Sequence, residues 1–540
     1  MGDCLIVRRG GGGKFTFPTG LSVTTPPTKT SYKAGESIDL TGIVIMATYS
    51  DGSTADVTSE CSFSPASGAV VYEDTSKITV SWEWEGTITY TTSQSITVTR
   101  VLSSIAITTK PTKTSYVKGE ALTLAGMVVT ATFSSGKTAV VTSYTTSPAA
   151  GSAVTTVGTS TVTVSYTENS VTKTASFSIT ATTPIYGVSW DGTSTTKFSR
   201  TDAAASFTDP VPYVSGASSY GSPFDSISPW CDMARVTDST AGELVSIPKF
   251  YYKWTKTGTT MKLQISEASF TGSYVSPAHA DRGDGKGERS VVYVGRYHCN
   301  SSYKSVSGST PKAKITRATA RSGISNLGSA YWQYDYAMYW TIAMLYLVEF
   351  GDWNSQTKIG YGCGNGSAAQ SVGASDSMPY HTGTMQSSRT TYGVGVQYRY
   401  IEGLWDNVRD WCDGIYFKSS SVYCIKNPAS FSDTSNGTQV GTRPTSSDYI
   451  SAWSVPTASG FEYALYPSAV AGSETTYTPD YCYYYSSGVV LNVGGNYNQN
   501  LNYGLFYLNG NNSASNSNSN IGCRKLLYSL SVAQQPHSTC

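Results

Sequence analysis

The chain has 540 residues, more than one ordinary domain needs, and only 14% of them are charged, while Gly (51) and Tyr (40) are abundant. A formal net charge of +1 argues against nucleic acid or an anionic membrane as a partner, because both demand a surplus of Lys and Arg. Solubility carried by neutral Thr, Ser, Tyr and Gly is the habit of β-rich proteins.

The N-terminal MGDCLIVRRGGGGKFTFPTG has no long apolar run and no small-residue cleavage site, so no secretory signal is expected. Ile6 stands where Ser or Thr would complete a myristoylation pattern. Residues 1–20 therefore read as an N-terminal attachment segment. The ten cysteines are widely scattered, and without an export signal free thiols are expected.

Next comes a repeat. PTKTSYKAGESIDLTG (27–42) returns as PTKTSYVKGEALTLAG (111–126), and ATYSDG (47–52) returns as ATFSSG (131–136). ITVSW (78–82) is matched by VTVSY (162–166). Such a repeat marks two copies of one domain. Each copy alternates short strand patterns with turn signals such as Ser50-Asp51-Gly52 and Ser135-Gly136, which predicts a β-sandwich. The copies resemble bacterial immunoglobulin-like domains of adhesins and phage structural proteins. The predicted boundaries are 21–100 and 101–183, and spacer domains without a ligand of their own are expected.

From residue 184 aromatic residues become dense. YDYAMYWTIAMLYLVEFGDW (334–353) carries apolar residues at near-helical spacing, so a buried helix stopped by Gly351 is predicted. The apolar run within it contains Glu349 and is too short to span a bilayer, so no membrane insertion is expected. YRYIEGLWDNVRDWCDGIYF (398–417) places Trp405, Asp406, Asn407, Val408 and Trp411 close together, a pattern suited to anchoring a loop-rich domain. Further on, YCYYYSSG (481–488) precedes GGNYNQNLNYGLFYLNGNNSASNSNSNIGCR (494–524), where ten of the 27 residues from Gly494 to Asn520 are Asn. Leu501, Leu505, Phe506, Leu508 and Ile521 punctuate that run, which argues for an ordered segment tied to a core.

The Trp405–Trp411 segment resembles the formylglycine-generating-enzyme group, which has a C-type-lectin-like fold. Together with the 481–524 stretch and its Asn-Ile-Gly-Cys-Arg ending, it is similar to the variable proteins of diversity-generating retroelements, the family that includes the phage major tropism determinant. That resemblance implies a C-type-lectin-like domain over 184–540 with a variable region at about 481–524. The overall fold expected is mainly β with an α+β C-terminal domain: two immunoglobulin-like β-sandwiches followed by a C-type-lectin-like fold. The resemblance implies fixed Gly494, Gly495, Gly504 and Phe506, and a homo-oligomer, with the trimer as the family pattern. Independently, Tyr, Ser, Gly and Asn are the residues favoured in antibody binding loops.

Catalysis is not expected. Eleven residues separate Cys412 from Cys424, unlike the closely spaced cysteine pair of the formylglycine-generating enzymes, and the four His show no metal-ligand spacing. No Glu-Pro-Asn or Gln-Pro-Asp motif for a sugar-binding calcium occurs. No metal and no cofactor are expected. DRGDGKGER (281–289) reads as a solvated loop, and GYGCGNGSA (360–368) lacks the Lys-Ser/Thr of a P-loop.

The function expected is a phage receptor-binding or adhesion protein of the virion, made in the host cytoplasm. Its partners would be a host-cell surface protein or glycan and, through the N-terminus, other virion proteins. A bacterial surface adhesin or variable binding protein of the same fold, and a non-catalytic structural virion protein, are the alternatives. The ligand-binding residues expected are Tyr481, Tyr483, Tyr484, Tyr485, Ser486, Asn496, Tyr497, Asn498, Gln499, Asn500, Asn502 and Tyr503, with Asn509, Asn511 and Asn512 secondary.

Overall fold

Alternating burial builds the first part of the molecule. In Lys77–Trp84 the side chains of Ile78, Val80 and Trp82 point inward, and in Val128–Phe133 those of Val129, Ala131 and Phe133 do so. The computed structural model describes residues 16–393, 395–434 and 437–528. The chain divides into two compact units between Thr182 and Thr183.

The first unit holds two β-sandwiches. One pairs Pro18–Thr25, Val44–Tyr49 and Thr54–Asp56 in one sheet and Ser62–Ser64, Lys77–Trp84 and Ile88–Ser95 in the other. Its first strand begins inside the segment expected for attachment; residues 1–15 of that segment lie outside the described residues. The second sandwich repeats the plan with Leu102–Thr109, Val128–Phe133 and Thr138–Val141 facing a four-stranded sheet. The repeat extends to single bonds. The Tyr32 hydroxyl donates to the carbonyl of Lys29 at 2.9 Å, and the equivalent Tyr116 donates to that of Lys113 at 3.0 Å. Each ties a loop to a buried ring, so both copies share one internal brace.

The second unit is organised around a helix and a large sheet. Helix α1 spans Arg317–Ser325 and α2 spans Tyr336–Phe350. Every residue of α2 is buried. Asp335 caps it by accepting from the Met338 N–H at 2.9 Å, and Gly351 ends it in a left-handed conformation with φ 59°. Glu349 survives burial because Arg399 grips both its oxygens, at 2.6 and 3.0 Å.

The largest sheet runs in the order Thr438–Thr442, Ser421–Cys424, Arg409–Lys418, Val490–Val493, Leu508–Asn512, Thr478–Tyr484, Asp448–Ser454 and Tyr466–Val470, with Ile521–Gly522 also on Arg409–Lys418. A five-stranded sheet takes in Lys525–Leu527 between Val291–Gly295 and Tyr331–Gln333. The unit is thus mainly β with helices packed on it. Of the eight described cysteines seven are free thiols, as expected, and Cys231 is disulfide-bonded, which departs from that expectation.

Two polar anchors hold these layers together. Asn407 bonds both backbone groups of Gln370, at 2.8 and 2.9 Å, while the ring N–H groups of Trp405 and Trp411 donate to the carbonyls of Gly360 and Ile315. Arg524 is fully buried. Its guanidinium donates to the carbonyls of Gly295, Arg296, Glu402 and Gly403 and to the carboxylate of Asp410, all within 3.1 Å. Asp410 in turn holds His298 at 3.1 Å.

A Lys ammonium has three donors and no planar fork, so it cannot serve these five acceptors. Arg524→Lys is expected to destabilise the second unit by about 3–5 kcal/mol, the usual cost of breaking a buried charge network. Guanidinium unfolding followed by tryptophan fluorescence reads this. Stability within about 0.5 kcal/mol of the parent, the range of a neutral surface change, would show that the network is dispensable.

Candidate ligand-binding surface

Strand Thr478–Tyr484 is paired on both sides, antiparallel to Asp448–Ser454 and parallel to Leu508–Asn512. Side chains on a strand alternate, so Tyr481 and Tyr483 share one face while Cys482 and Tyr484 take the other. Tyr449 lies directly across from Tyr481. The result is a row of rings. Tyr449 meets Tyr481 at 5.1 Å between centroids, Tyr481 meets Tyr483 at 4.6 Å, and Tyr483 meets Tyr507 at 5.9 Å. Arg409 lies over Tyr507 at 5.4 Å and donates twice to the side-chain carbonyl of Gln499, at 2.9 and 3.2 Å. Tyr449, Tyr481, Tyr483, Arg409 and Gln499 are half-buried and leave one side of the row open, while Tyr507 is fully buried and supports Tyr483 and Arg409 from beneath. Burial raises the Tyr481 hydroxyl, with Tyr483 adding to it, and pushes Tyr449 up to about 12. Both stay neutral donors at physiological pH.

Tyr484 does not join the row. It faces Arg443 on the opposite side of the strand, 4.7 Å from the ring centroid, and its backbone is fastened to the Ser447 hydroxyl at 2.9 and 3.1 Å. Arg443 also bonds the carbonyls of Ser419, Tyr485, Gly488 and Gly510. Tyr485, 59% exposed, and Ser486 occupy the turn beyond the strand, closed by the Gly488 N–H on the Tyr485 carbonyl at 2.9 Å.

The Asn-rich loop divides residue by residue. Asn498 and Asn500 are exposed, and Asn502 is half-buried. Asn496, Tyr497 and Tyr503, expected at the surface, are buried, and this corrects their role. Asn496 turns inward to cap its own loop, accepting from the Asn498 N–H and donating to Gln499, each at 2.9 Å. Tyr503 reaches the Tyr361 carbonyl at 2.7 Å beneath the Gly-rich loop. A Cβ at Gly364 would collide with that Tyr503 hydroxyl, so the GYGCGNGSA segment serves as a cradle: Gln499 and Asn500 donate their backbone N–H groups to the Gly364 carbonyl at 3.0 and 2.8 Å. Asn509 and Asn512 are buried as well and bond each other at 2.6 Å, while Asn511 is exposed. Of the twelve residues expected, the structure brings Tyr481, Tyr483 and Gln499 into one row. Tyr449, Tyr507 and Arg409 complete it and carry no signal in sequence, because only strand register brings them there.

Two buried carboxyls lie beneath this surface. Asp480 accepts the Phe506 N–H at 2.7 Å and sits against Gly504, where a side chain would displace it. Burial pushes its carboxyl up to about 8, against the pull of that one N–H. Burial, with Glu402 nearby, pushes Asp406 up to about 7 despite the Cys363 N–H it accepts. Cys412 and Cys424 are fully buried, and burial drives both thiols upward, away from the thiolate a nucleophile needs. Arg282 of the Arg-Gly-Asp tripeptide is buried on Asp335 at 3.0 Å, so that tripeptide is not displayed as a unit. Among the described residues no group of three or more His, Cys, Asp or Glu is placed to hold a metal, and no helix is long and apolar enough to cross a membrane.

Asp480 fixes a pH dependence. Its folded pKa lies above the unfolded value of about 4, so its contribution is full below pH 4 and is lost as pH rises towards 8, by up to about 1.4 kcal/mol per unit. Asp480→Asn keeps an acceptor for Phe506 and removes the titration. The variant should match or trail the parent at pH 5 and melt several degrees higher at pH 8.5. Parallel melting curves across that range would contradict the assignment.

No curated protein matches the chain. Among solved structures, the S-layer protein rSbsC(31-844) is 14% identical over 48% of this chain and 39% of that one, with a TM-score of 0.14. Domains 4–9 of the surface layer protein SbsC are 13% identical over 47% and 44%, with a TM-score of 0.15. The chain thus spans less than half the length of these surface-layer structures, and likenesses this slight carry no weight for fold or function. Residues 25–99 and 109–181, which form the two sandwiches, each match the bacterial Ig-like domain (group 3) family.

Proposed function

We propose that the chain is a non-catalytic binding protein for attachment to a cell surface. The bacterial Ig-like pair would serve as spacers, and the second unit would carry the recognition surface. The tyrosine row from Tyr449 to Tyr507, closed by Arg409 and Gln499, is the observation that carries this reading. Tyrosine offers large contact area with little rotamer entropy to lose, and Arg and Gln at the end of the row add directional donors. Exposed Tyr485, Ser486, Asn498 and Asn500 border it in sequence and supply adaptable polar contacts.

The finer reading is a phage receptor-binding protein of the virion, whose second unit is a C-type-lectin-like domain with a diversified region at about 481–524. Support comes from the residues themselves: Tyr481, Tyr483, Tyr484, Tyr485, Ser486, Asn498, Asn500 and Asn502, of the types such a region favours, occupy exposed or half-buried positions on a backbone fixed by the Gly364 cradle and Arg524. A homo-oligomer would multiply weak sites into useful avidity. A bacterial surface adhesin is the second reading, favoured by the bacterial Ig-like match over residues 25–99 and 109–181.

The double variant Tyr481→Ala/Tyr483→Ala tests the surface. Labelled full-length chain would be measured by flow cytometry on intact cells of the bacterium that hosts or encodes it. Retention should fall about 30-fold or more, the loss of a typical hot spot, with the melting temperature little changed. Undiminished retention would sink the reading. Sequencing the flanking DNA separates the finer version. A near-copy of the 481–524 coding stretch that differs only at adenines, beside a reverse transcriptase gene, is the expected result. Its absence would remove diversification while leaving the binding surface standing.

A further inference from the structure

The loop that begins at Asp281 also forms one side of a cavity of 260 Å³ in the second unit. Tyr252 and Tyr463, 2% and 5% exposed, line it together with the 44% exposed Tyr274. Tyr252 and Tyr274 lie 5.9 Å apart with tilted rings. Neither the Tyr252 nor the Tyr463 hydroxyl makes a hydrogen bond to a described residue. Neither hydroxyl is among the sealed polar atoms left without a partner, so both keep access to solvent beside the cavity their residues line and are free to bond a polar ligand.

The charges of the lining decide which ligand. Arg282 is already neutralised by Asp335 at 3.0 Å and also donates to the Lys426 carbonyl at 2.7 Å. Glu288 pairs with Lys249 at 3.3 Å. Asp281 and Glu462 make no ion pair among the described residues; each accepts only a backbone N–H, from Gly283 at 2.9 Å and from Gly460 at 3.1 Å. Against these two free carboxylates stands one lysine, Lys426, with no ion pair of its own among the described residues. The balance is negative, and the walls are aromatic faces, which attract cations.

We infer that this cavity binds a small organic cation: one ammonium group carried on a ring or alkyl framework. The ammonium would sit between the Asp281 and Glu462 carboxylates, with its carbons against Tyr252 and Tyr274. The volume falls just below the range of about 300–1,000 Å³ for drug-sized ligands, so one ring or one side chain fits and a chain of rings does not. An amino sugar of a glycan and a lysine side chain of a protein share this chemistry. The cavity shares no lining residue with the tyrosine row and stands whether or not that row binds a receptor.

Titration calorimetry on the full chain tests it with glucosamine and Nα-acetyl-lysine amide as ammonium probes, and glucose and N-acetylglucosamine as neutral controls. Saturable binding of at least one ammonium probe is expected, with no comparable binding of either control. Preference for glucosamine points to a glycan, and preference for the lysine amide points to a protein. Glu462→Gln should weaken binding about tenfold, as loss of a charged hydrogen bond does. Tyr274→Ala should weaken it about threefold. Asp281→Asn, at an exposed position, provides the same test if Glu462→Gln does not fold. Tyr481→Ala/Tyr483→Ala should leave this binding unchanged while removing cell retention. Equal binding of N-acetylglucosamine, no saturable binding of either ammonium probe, or full affinity in the folded carboxylate variant would overturn the proposal.

Discussion

One buried guanidinium sets the geometry of the second unit. Arg524 gathers the carbonyls of residues 295–296 and 402–403 and the carboxylate of Asp410, groups that lie more than a hundred residues away in sequence. A charge so deeply buried is tolerable only when every donor is used and a counter-ion is at hand. Those conditions require the chain to arrive from three directions at once. The strand after Arg524, Lys525–Leu527, then inserts between Val291–Gly295 and Tyr331–Gln333, so the end of the Asn-rich stretch is fixed by a sheet as well as by a charge. The start is fixed by Trp405–Asn407, where Asn407 holds Gln370 and takes the Tyr497 N–H on its carbonyl at 2.9 Å.

Between these two clamps the polar side chains have separate tasks. Asn496, Asn509 and Asn512 spend their amides on the loop itself, and Asn498, Asn500 and Asn511 face solvent. Asn suits both tasks because its amide carries donor and acceptor on a short stem that can satisfy local backbone. The abundance of one residue type therefore does not mark one role. Inward amides replace the backbone partners an irregular loop lacks, and outward amides remain free for a ligand.

The sequence made some layers of this plain and hid others. The repeat at 27–42 and 111–126 carried the two sandwiches because strand period, turn residues and even the brace tyrosines Tyr32 and Tyr116 recur together. The helix ending at Gly351 was legible because its capping residues sit at both ends of an apolar run. The surface was legible only in part. That Tyr484 faces away from Tyr483 follows from strand alternation, but the compositional signal treats YCYYYSS as one patch. Tyr503 reads as a surface polar residue because its burial depends on Gly364 and the loop around it, more than a hundred positions away, and Asn496 does because its amide turns inward onto Asn498 and Gln499. Tyr449, Tyr507 and Arg409 enter the row through pairing register, which a single sequence does not encode locally.

The placement of the row on strands explains how it could accept change. Binding loops that are free before contact lose backbone freedom on binding, and that cost subtracts from affinity. Thr478–Tyr484 is hydrogen-bonded on both edges, so the backbones of Tyr481 and Tyr483 are ordered already. Only side-chain rotamers remain to be fixed, and a tyrosine has few of them. Replacing a half-buried side chain on such a strand alters contact chemistry while the ladder beneath it persists. A surface of this kind keeps its geometry under substitution at exactly the positions that face out, provided that Cys482, packed on the other side, and the buried Asp480 stay as they are.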